Sequence, residues 1–211
     1  MYKSFFKRFI DIIIGLVGLP FFLIVFVVFA PIIYLTDKGP IFYNAERIGK
    51  DGKLFKMYKF RSLIVNAPDI RLADGSTYNG EDDPRVTKVG RFMRKTSIDE
   101  LPQLLNVLLG DMSLIGPRPD PPDWLDKYPE DIRVFLTVRP GITGYSQAYY
   151  RNSADGEAKM RHDAYYAVHC TFWLDIKIFF KTIAVVLTHE NTYKDTENEQ
   201  QAREEAEKIK Q

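Results

Sequence analysis

The sequence predicts an α+β protein, mostly helical, with a proline-broken re-entrant membrane helix at the N-terminus, a short β-hairpin and amphipathic interfacial helices. Three observations point there. Residues 12–35 are apolar, without a charge, and contain Pro20 and Pro31. Two apolar segments flank Gly49-Lys50-Asp51-Gly52, a turn signal. Leucines and aromatic residues then recur at helical spacing through the second half. The divisions expected are an anchor over 1–36, a cytoplasmic domain over 37–189 and a charged tail over 190–211.

The apolar run is long enough to cross a hydrocarbon core of about 30 Å if it is one straight helix. Pro20, preceded by Gly15 and Gly18, predicts a kink or break near Leu19-Pro20. A cleaved signal peptide fits the basic start, Lys3, Lys7 and Arg8, but Asp11 interrupts the approach and no small-x-small cleavage site precedes Thr36. A single span conflicts with the charge pattern, because basic residues stand on both flanks: Lys38, Arg47, Lys50, Lys53, Lys56, Lys59 and Arg61 follow the run. A helix that enters one leaflet and returns satisfies both flanks, provided its opened backbone groups find partners.

After the turn at Gly39-Pro40, residues 41–48 and 54–63 read as the two strands of the hairpin. Alternation puts Lys59 and Arg61 on one side of the second strand, where they make a phosphate seat or snorkel beside lipid phosphates. Residues 64–84 are polar and turn-rich and read as a mobile surface loop. Arg85, Lys88, Arg91, Arg94 and Lys95 follow as accumulated anion-attracting charge.

Residues 96–119 are the most informative. Thr96 or Ser97 is a candidate N-cap, and Ser97-x-x-Glu100 has capping-box spacing. Leu101, Leu104, Leu105 and Leu108 follow at helical spacing, with Pro102 tolerated near the start. The adjacent Asp99 and Glu100 therefore stand in or just before a first helical turn, either as caps or as groups for metal and phosphate chemistry. Gly116-Pro117-Arg118-Pro119 ends the segment and holds Arg118 in extended backbone, suited to bidentate phosphate contact or left as a solvated loop arginine.

Further on, Arg139-Pro140-Gly141-Ile142-Thr143-Gly144 is a second turn with a held arginine, and residues 162–187 read as one aromatic-rich helix, interfacial or core. With 29 basic against 28 acidic residues, net charge gives no argument for bulk nucleic-acid binding. The single Cys170 rules out an intramolecular disulfide and suits a reducing compartment. His162, His169 and His189 have no zinc spacing with it.

Together these segments resemble the bacterial sugar transferase family of monotopic phosphoglycosyl transferases. The resemblance runs in order through Lys7-Arg8 with Asp11, the proline-interrupted run, Tyr58-Lys59-Phe60-Arg61-Ser62, Asp83-Pro84-Arg85, Thr96 to Gln103, Gly110-Asp111-Met112-Ser113, Gly116-Pro117-Arg118-Pro119 and Arg139 to Gly144. It covers nearly the whole chain, about Lys7 to Leu187, in the manner of the small, minimal members. Leu19-Pro20 stands where the family often has Ser-Pro, and Tyr145-Ser146-Gln147 stands where it often has Leu-Ala-Gln.

The resemblance implies an enzyme that transfers a sugar-1-phosphate from a UDP-sugar to polyprenol phosphate, of undecaprenyl type, at the cytoplasmic face of the bacterial inner membrane. It makes Asp99 the nucleophile and Glu100 the ligand of Mg²⁺, the cofactor. Arg118 is the first candidate for phosphate binding, with Lys59, Arg94 and Arg139 beside it, and Asp163 and Asp175 take supporting roles. Membrane phospholipid and downstream glycosyltransferases are the further partners expected, and nucleic acid is not one. A non-catalytic membrane scaffold for glycan assembly is the alternative.

Overall fold

A computed structural model describes residues 2–71, 78, 80, 83–150 and 156–188 of the chain. The tail expected over 190–211, His189 and the middle of the expected loop over 64–84 lie outside the described residues.

A π-helical turn over Tyr2–Phe6 runs into α1, Lys7–Asp37. The backbone stays helical through Pro20 and Pro31, so the break expected near Leu19-Pro20 is not a loss of helix. Contacts along the whole length of α1 account for this. The hairpin strands β1 (Phe42–Ile48) and β2 (Leu54–Phe60) pair antiparallel from Phe42 opposite Phe60 to Ile48 opposite Leu54. Phe26 of α1 stacks on both Phe42 and Phe60, with centroids at 5.7 and 6.3 Å. Toward the N-terminus α1 crosses α3 (Gln103–Leu109), where a Cβ placed on Gly15 would come within 2.8 Å of Leu108. A larger residue there would require the Leu108 side chain to shift.

Both ends of α1 are tied to the same domain. Arg8 donates to the carbonyls of Val107 and Leu108 at the end of α3, and Asp11 accepts from Ser113 Oγ and Leu114 N at 3.0 Å each. At the other end Asp37 takes a bidentate pair from Arg61, 2.6 Å on each oxygen. The segment Tyr2–Asp37 is long and apolar enough to cross a membrane; its most apolar 18-residue window has mean hydropathy 3.1, and the protein buries only 17% of that window. The rest needs an apolar surrounding from outside the protein.

The domain continues with α2, Lys88–Thr96, whose N-cap Thr87 accepts from Gly90 N at 2.9 Å. Ahead of it, Arg85 and Asp83 form a buried pair at 2.8 Å, and Arg85 also reaches the carbonyls of Pro68 and Tyr78. The described end of the loop read as mobile is therefore pinned, and Arg85 is spent internally. Strands β3 (Ser113–Ile115) and β4 (Gly141–Thr143) form a small parallel sheet. The helices α4 (Tyr145–Tyr149), α5 (Gly156–His169) and α6 (Phe172–Thr188) complete the described residues. The single helix expected over 162–187 is thus two. Thr171 starts the second, its Oγ1 accepting from Leu174 N at 3.3 Å.

Candidate active site

Asp99 and Glu100 sit in a 3₁₀ turn, Ile98–Glu100, between α2 and α3. Ser97 does not cap the helix that follows. It is left-handed, φ 57°, and closes α2 with its N–H on the Arg94 carbonyl. Helix α3 begins only at Gln103, after Pro102, which has no N–H to give. Glu100 is therefore not folded back as a capping-box partner, and its carboxylate points at cations.

Lys59 Nζ lies 2.9 Å from Asp99 Oδ2 and 3.3 Å from Glu100 Oε1, and Arg118 Nη2 lies 3.1 Å from the same Glu100 oxygen. Asp99 is 2% exposed, whereas the Arg118 side chain is 41% exposed. Arg94 Nε donates to Ser62 Oγ at 2.9 Å, and its charge acts on Asp99. Burial pushes the Asp99 carboxyl up against the pull of Lys59, and the neighbouring Glu100 adds to the rise. Burial would raise Glu100 too, but the charges of Arg118 and Lys59 outweigh it and hold that carboxyl down to about 2. The two adjacent acids are thus unlike: Glu100 is a fixed anion, and Asp99 is a buried group that answers to one ammonium.

Asn106 builds this geometry, and the sequence reading did not single it out. It is fully buried in α3. Its Oδ1 accepts from Tyr58 N at 2.8 Å, and its Nδ2 donates to the Lys56 carbonyl at 2.7 Å and to Asp111 Oδ2 at 3.2 Å. One amide thereby clamps the edge of β2, which carries Lys59, to the helix that follows Asp99. An asparagine inside a leucine run was the available signal, since such a polar group is rare in a helix core unless fully bonded.

Of the expected site residues, Lys59, Asp99, Glu100 and Arg118 come together, with Arg94 alongside. Arg139 does not join them. It donates to the Gly110 carbonyl at 2.8 Å, past the far end of α3, near Arg8. Asp175 is likewise elsewhere. It anchors the N-terminus, taking Lys7 at 2.6 Å, Tyr2 Oη at 2.5 Å and Tyr166 Oη at 2.7 Å. Arg61, read as half of a phosphate seat, is consumed by Asp37 and the carbonyls of Pro40 and Leu63. Asp163 is buried 3.8 Å from Lys159, which also grips Asp120 at 2.6 and 2.8 Å, two residues past Arg118. Burial pushes the Asp163 carboxyl up to about 7 against the pull of Lys159. Through Lys159 it is linked to Asp120 and so to the segment that carries Arg118.

Among the described residues no three His, Cys, Asp or Glu side chains are grouped to cage a metal ion. Asp99 and Glu100 do offer adjacent hard oxygens. That donor set suits Mg²⁺, which keeps waters and takes one or two carboxylates together with substrate phosphate.

The profile of the bacterial sugar transferases matches residues 2–189. The chain belongs to the bacterial sugar transferase family. It is 41% identical over 208 residues to an undecaprenyl-phosphate galactose phosphotransferase of Salmonella typhimurium, a match covering 90% of this chain and 42% of that protein. It is 40% identical over 191 residues to a UDP-N-acetylgalactosamine-undecaprenyl-phosphate N-acetylgalactosaminephosphotransferase of Aeromonas hydrophila, covering 88% and 44%. An exopolysaccharide production protein of Sinorhizobium fredii is 36% identical over 198 residues, with 89% and 88% covered. The chain thus spans less than half the length of the first two relatives. The long apolar α1 fits a membrane-associated member of the bacterial sugar transferases.

Proposed function

We propose that the protein transfers a sugar-1-phosphate from a UDP-sugar to polyprenol phosphate and so initiates glycoconjugate assembly at the cytoplasmic face of the inner membrane. The observation that carries this reading is the pairing of a buried Asp99 with Lys59, next to a Glu100 that shares Lys59 and Arg118. Asp99 attacks the phosphorus next to the sugar, the bond from that phosphorus to the UMP oxygen breaks, and UMP leaves. The resulting acyl phosphate carries the sugar. A phosphate oxygen of polyprenol phosphate then attacks the same phosphorus, the bond to Asp99 breaks, and the carboxylate returns. Lys59 and Arg118 hold the phosphoryl oxygens and offset their charge, and Arg94 lies close enough to add to that field. Glu100, with Asp99 beside it, would hold Mg²⁺, which supplies further charge neutralisation on the diphosphate.

The names of the relatives support the reaction class, and UMP release from a UDP-sugar panel with polyprenol phosphate tests it. A non-catalytic scaffold would bind membrane and release none. Chelation should stop turnover, and added Mg²⁺ should restore it. Glu100→Gln should raise the Mg²⁺ concentration needed for half-maximal rate by about tenfold or more, because one anionic ligand is lost. An unchanged Mg²⁺ requirement in Glu100→Gln removes Glu100 as ligand.

The contacts of Arg8, Asp11 and Asp37 with one domain support an N-terminus on the same side of the membrane as that domain, as the basic flanks do. Exposed Trp173, Phe180 and Leu187 on α6 extend the apolar surface and support an interfacial helix. Ser4 and Asp51 are exposed and Cys170 is buried, so single cysteines at the first two positions in a Cys170→Ser background report topology. Neither Ser4→Cys nor Asp51→Cys should react with an impermeant maleimide in intact cells, and both should react once the inner membrane is breached. Labelling of Ser4→Cys alone in intact cells establishes a spanning helix instead.

A further inference from the structure

Six aromatic rings on α4, on α5 and at Tyr150, directly after α4, have no part in the chemistry above. Tyr145 lies 4.8 Å from Tyr149, 5.2 Å from Tyr165 and 5.9 Å from His162, centroid to centroid. Tyr150 stacks on His162 at 4.0 Å, and Tyr165 on His169 at 4.2 Å. Along α5, His162, Tyr165 and His169 are spaced by three and four residues and form one stripe. Asp163, Tyr166 and Ala167 face the interior instead. Tyr149, Tyr150 and Tyr165 are exposed, so the stack is a surface and not a core.

The position of this surface gives it meaning. At one end, Lys159 stands one turn before His162 and holds Asp120, two residues past Arg118. The parallel strands β3 and β4 also end side by side, and they feed the Arg118 segment and Tyr145 respectively. Gly116 N donates to the Thr143 carbonyl at 2.8 Å, and Gly144 is pressed against the Gly116 carbonyl, where a Cβ has no room. At the other end, His169 leads within three residues to Phe172 and then Trp173, 71% exposed at the start of α6. Helix α4 rests on α6, and just ahead of it Thr143, at the end of β4, has its hydroxyl 2.8 Å from that of Thr182 on α6. From Lys159 to His169 the stripe climbs about 15 Å at 1.5 Å per residue.

Polyprenol phosphate has the same polarity as this path: an anionic head, then an unsaturated hydrocarbon chain that must end in lipid. Its head belongs at Lys59 and Arg118, and its tail at the apolar surface that α6 continues. We infer that the stack centred on Tyr145 seats the first isoprene units of the acceptor, between the Arg118 loop and the start of α6. Flat rings with hydroxyl or imidazole edges suit this role, because their faces take alkene and methyl groups while their edges remain wetted when the seat is empty. The inference rests on the transferase reading and names the acceptor subsite within it.

The test uses the purified full chain with Tyr149→Ser and Tyr165→Ser combined, both positions being exposed, and with Tyr145→Leu separately. Three quantities are read: the burst of UMP from UDP-sugar without acceptor, the KM for a long polyprenol phosphate against a five-carbon prenyl phosphate, and flotation with phospholipid vesicles free of polyprenol. The expected result is a rise of about tenfold in KM for the long acceptor in the double variant. The UMP burst and flotation should hold, and the KM of the five-carbon acceptor, which brings only one isoprene unit to the rings, should rise far less than that of the long one. A slowed burst with unchanged acceptor KM assigns the rings to the donor sugar and overturns the inference. Reduced flotation in step with the KM rise makes them a general membrane belt, and no change in any readout makes them plain surface; either overturns it. Absence of UMP release from the wild type even with polyprenol phosphate present sinks the transferase reading itself, and the inference with it.

Discussion

Asp99→Asn should give a folded protein that releases UMP at least about 10³-fold more slowly than wild type and forms no phosphosugar adduct. The substitution keeps the shape of a side chain buried in a tight turn and removes only the charge that attacks phosphorus. Stability should not suffer, because burial already works against the Asp99 carboxylate and Lys59 keeps Glu100 as a partner. Wild type incubated with labelled UDP-sugar and no acceptor should carry the label on Asp99, and acceptor should discharge it. Near-normal turnover in a folded Asp99→Asn protein would eliminate the covalent route and leave a direct transfer between bound substrates. The adduct and the rate are separate readouts, so a variant that merely misfolds is recognised by its thermal transition.

The local features of this fold were legible in the sequence, and the partners of its charges were not. The hairpin stands within a few residues of its expected limits, because strand alternation and the Gly-Lys-Asp-Gly turn are local signals. Asp99, Glu100, Lys59 and Arg118 were candidates from residue type and local spacing, with roles implied by the family resemblance, and they meet. Arg61, Arg139 and Asp175 were also candidates, and their partners are Asp37, the Gly110 carbonyl and Lys7. Lys7 and Asp175 are 168 positions apart, and no local pattern announces such a pair. Ser97 misled for a different reason. Its spacing to Glu100 satisfies a capping box, but a cap needs extended backbone, and the end of α2 forces Ser97 into the left-handed region. The unbroken α1 likewise reflects tertiary packing, since α3 and the hairpin grip it on both sides of Pro20.

Arg118→Lys should lower kcat/KM for the UDP-sugar by roughly 10²-fold while leaving the thermal transition unchanged, a loss of about 2.7 kcal/mol of transition-state stabilisation. Pro117 and Pro119 fix the backbone on both sides, one guanidinium nitrogen is committed to Glu100 at 3.1 Å, and the partly exposed remainder offers a planar fork to a phosphate. Lysine preserves the charge near Glu100 and can replace that single contact. It has only a point charge to give the substrate, so what disappears is the geometry. The exposure of Arg118 is why the fold should not notice. The distribution of the loss identifies its origin: a fall mainly in kcat places the fork on the transferring phosphoryl group, and a rise mainly in KM places it on the UMP half of the donor. Unchanged kinetics in Arg118→Lys would return Arg118 to a loop residue whose work is to hold Glu100 ionised, leaving Lys59 as the principal phosphate contact.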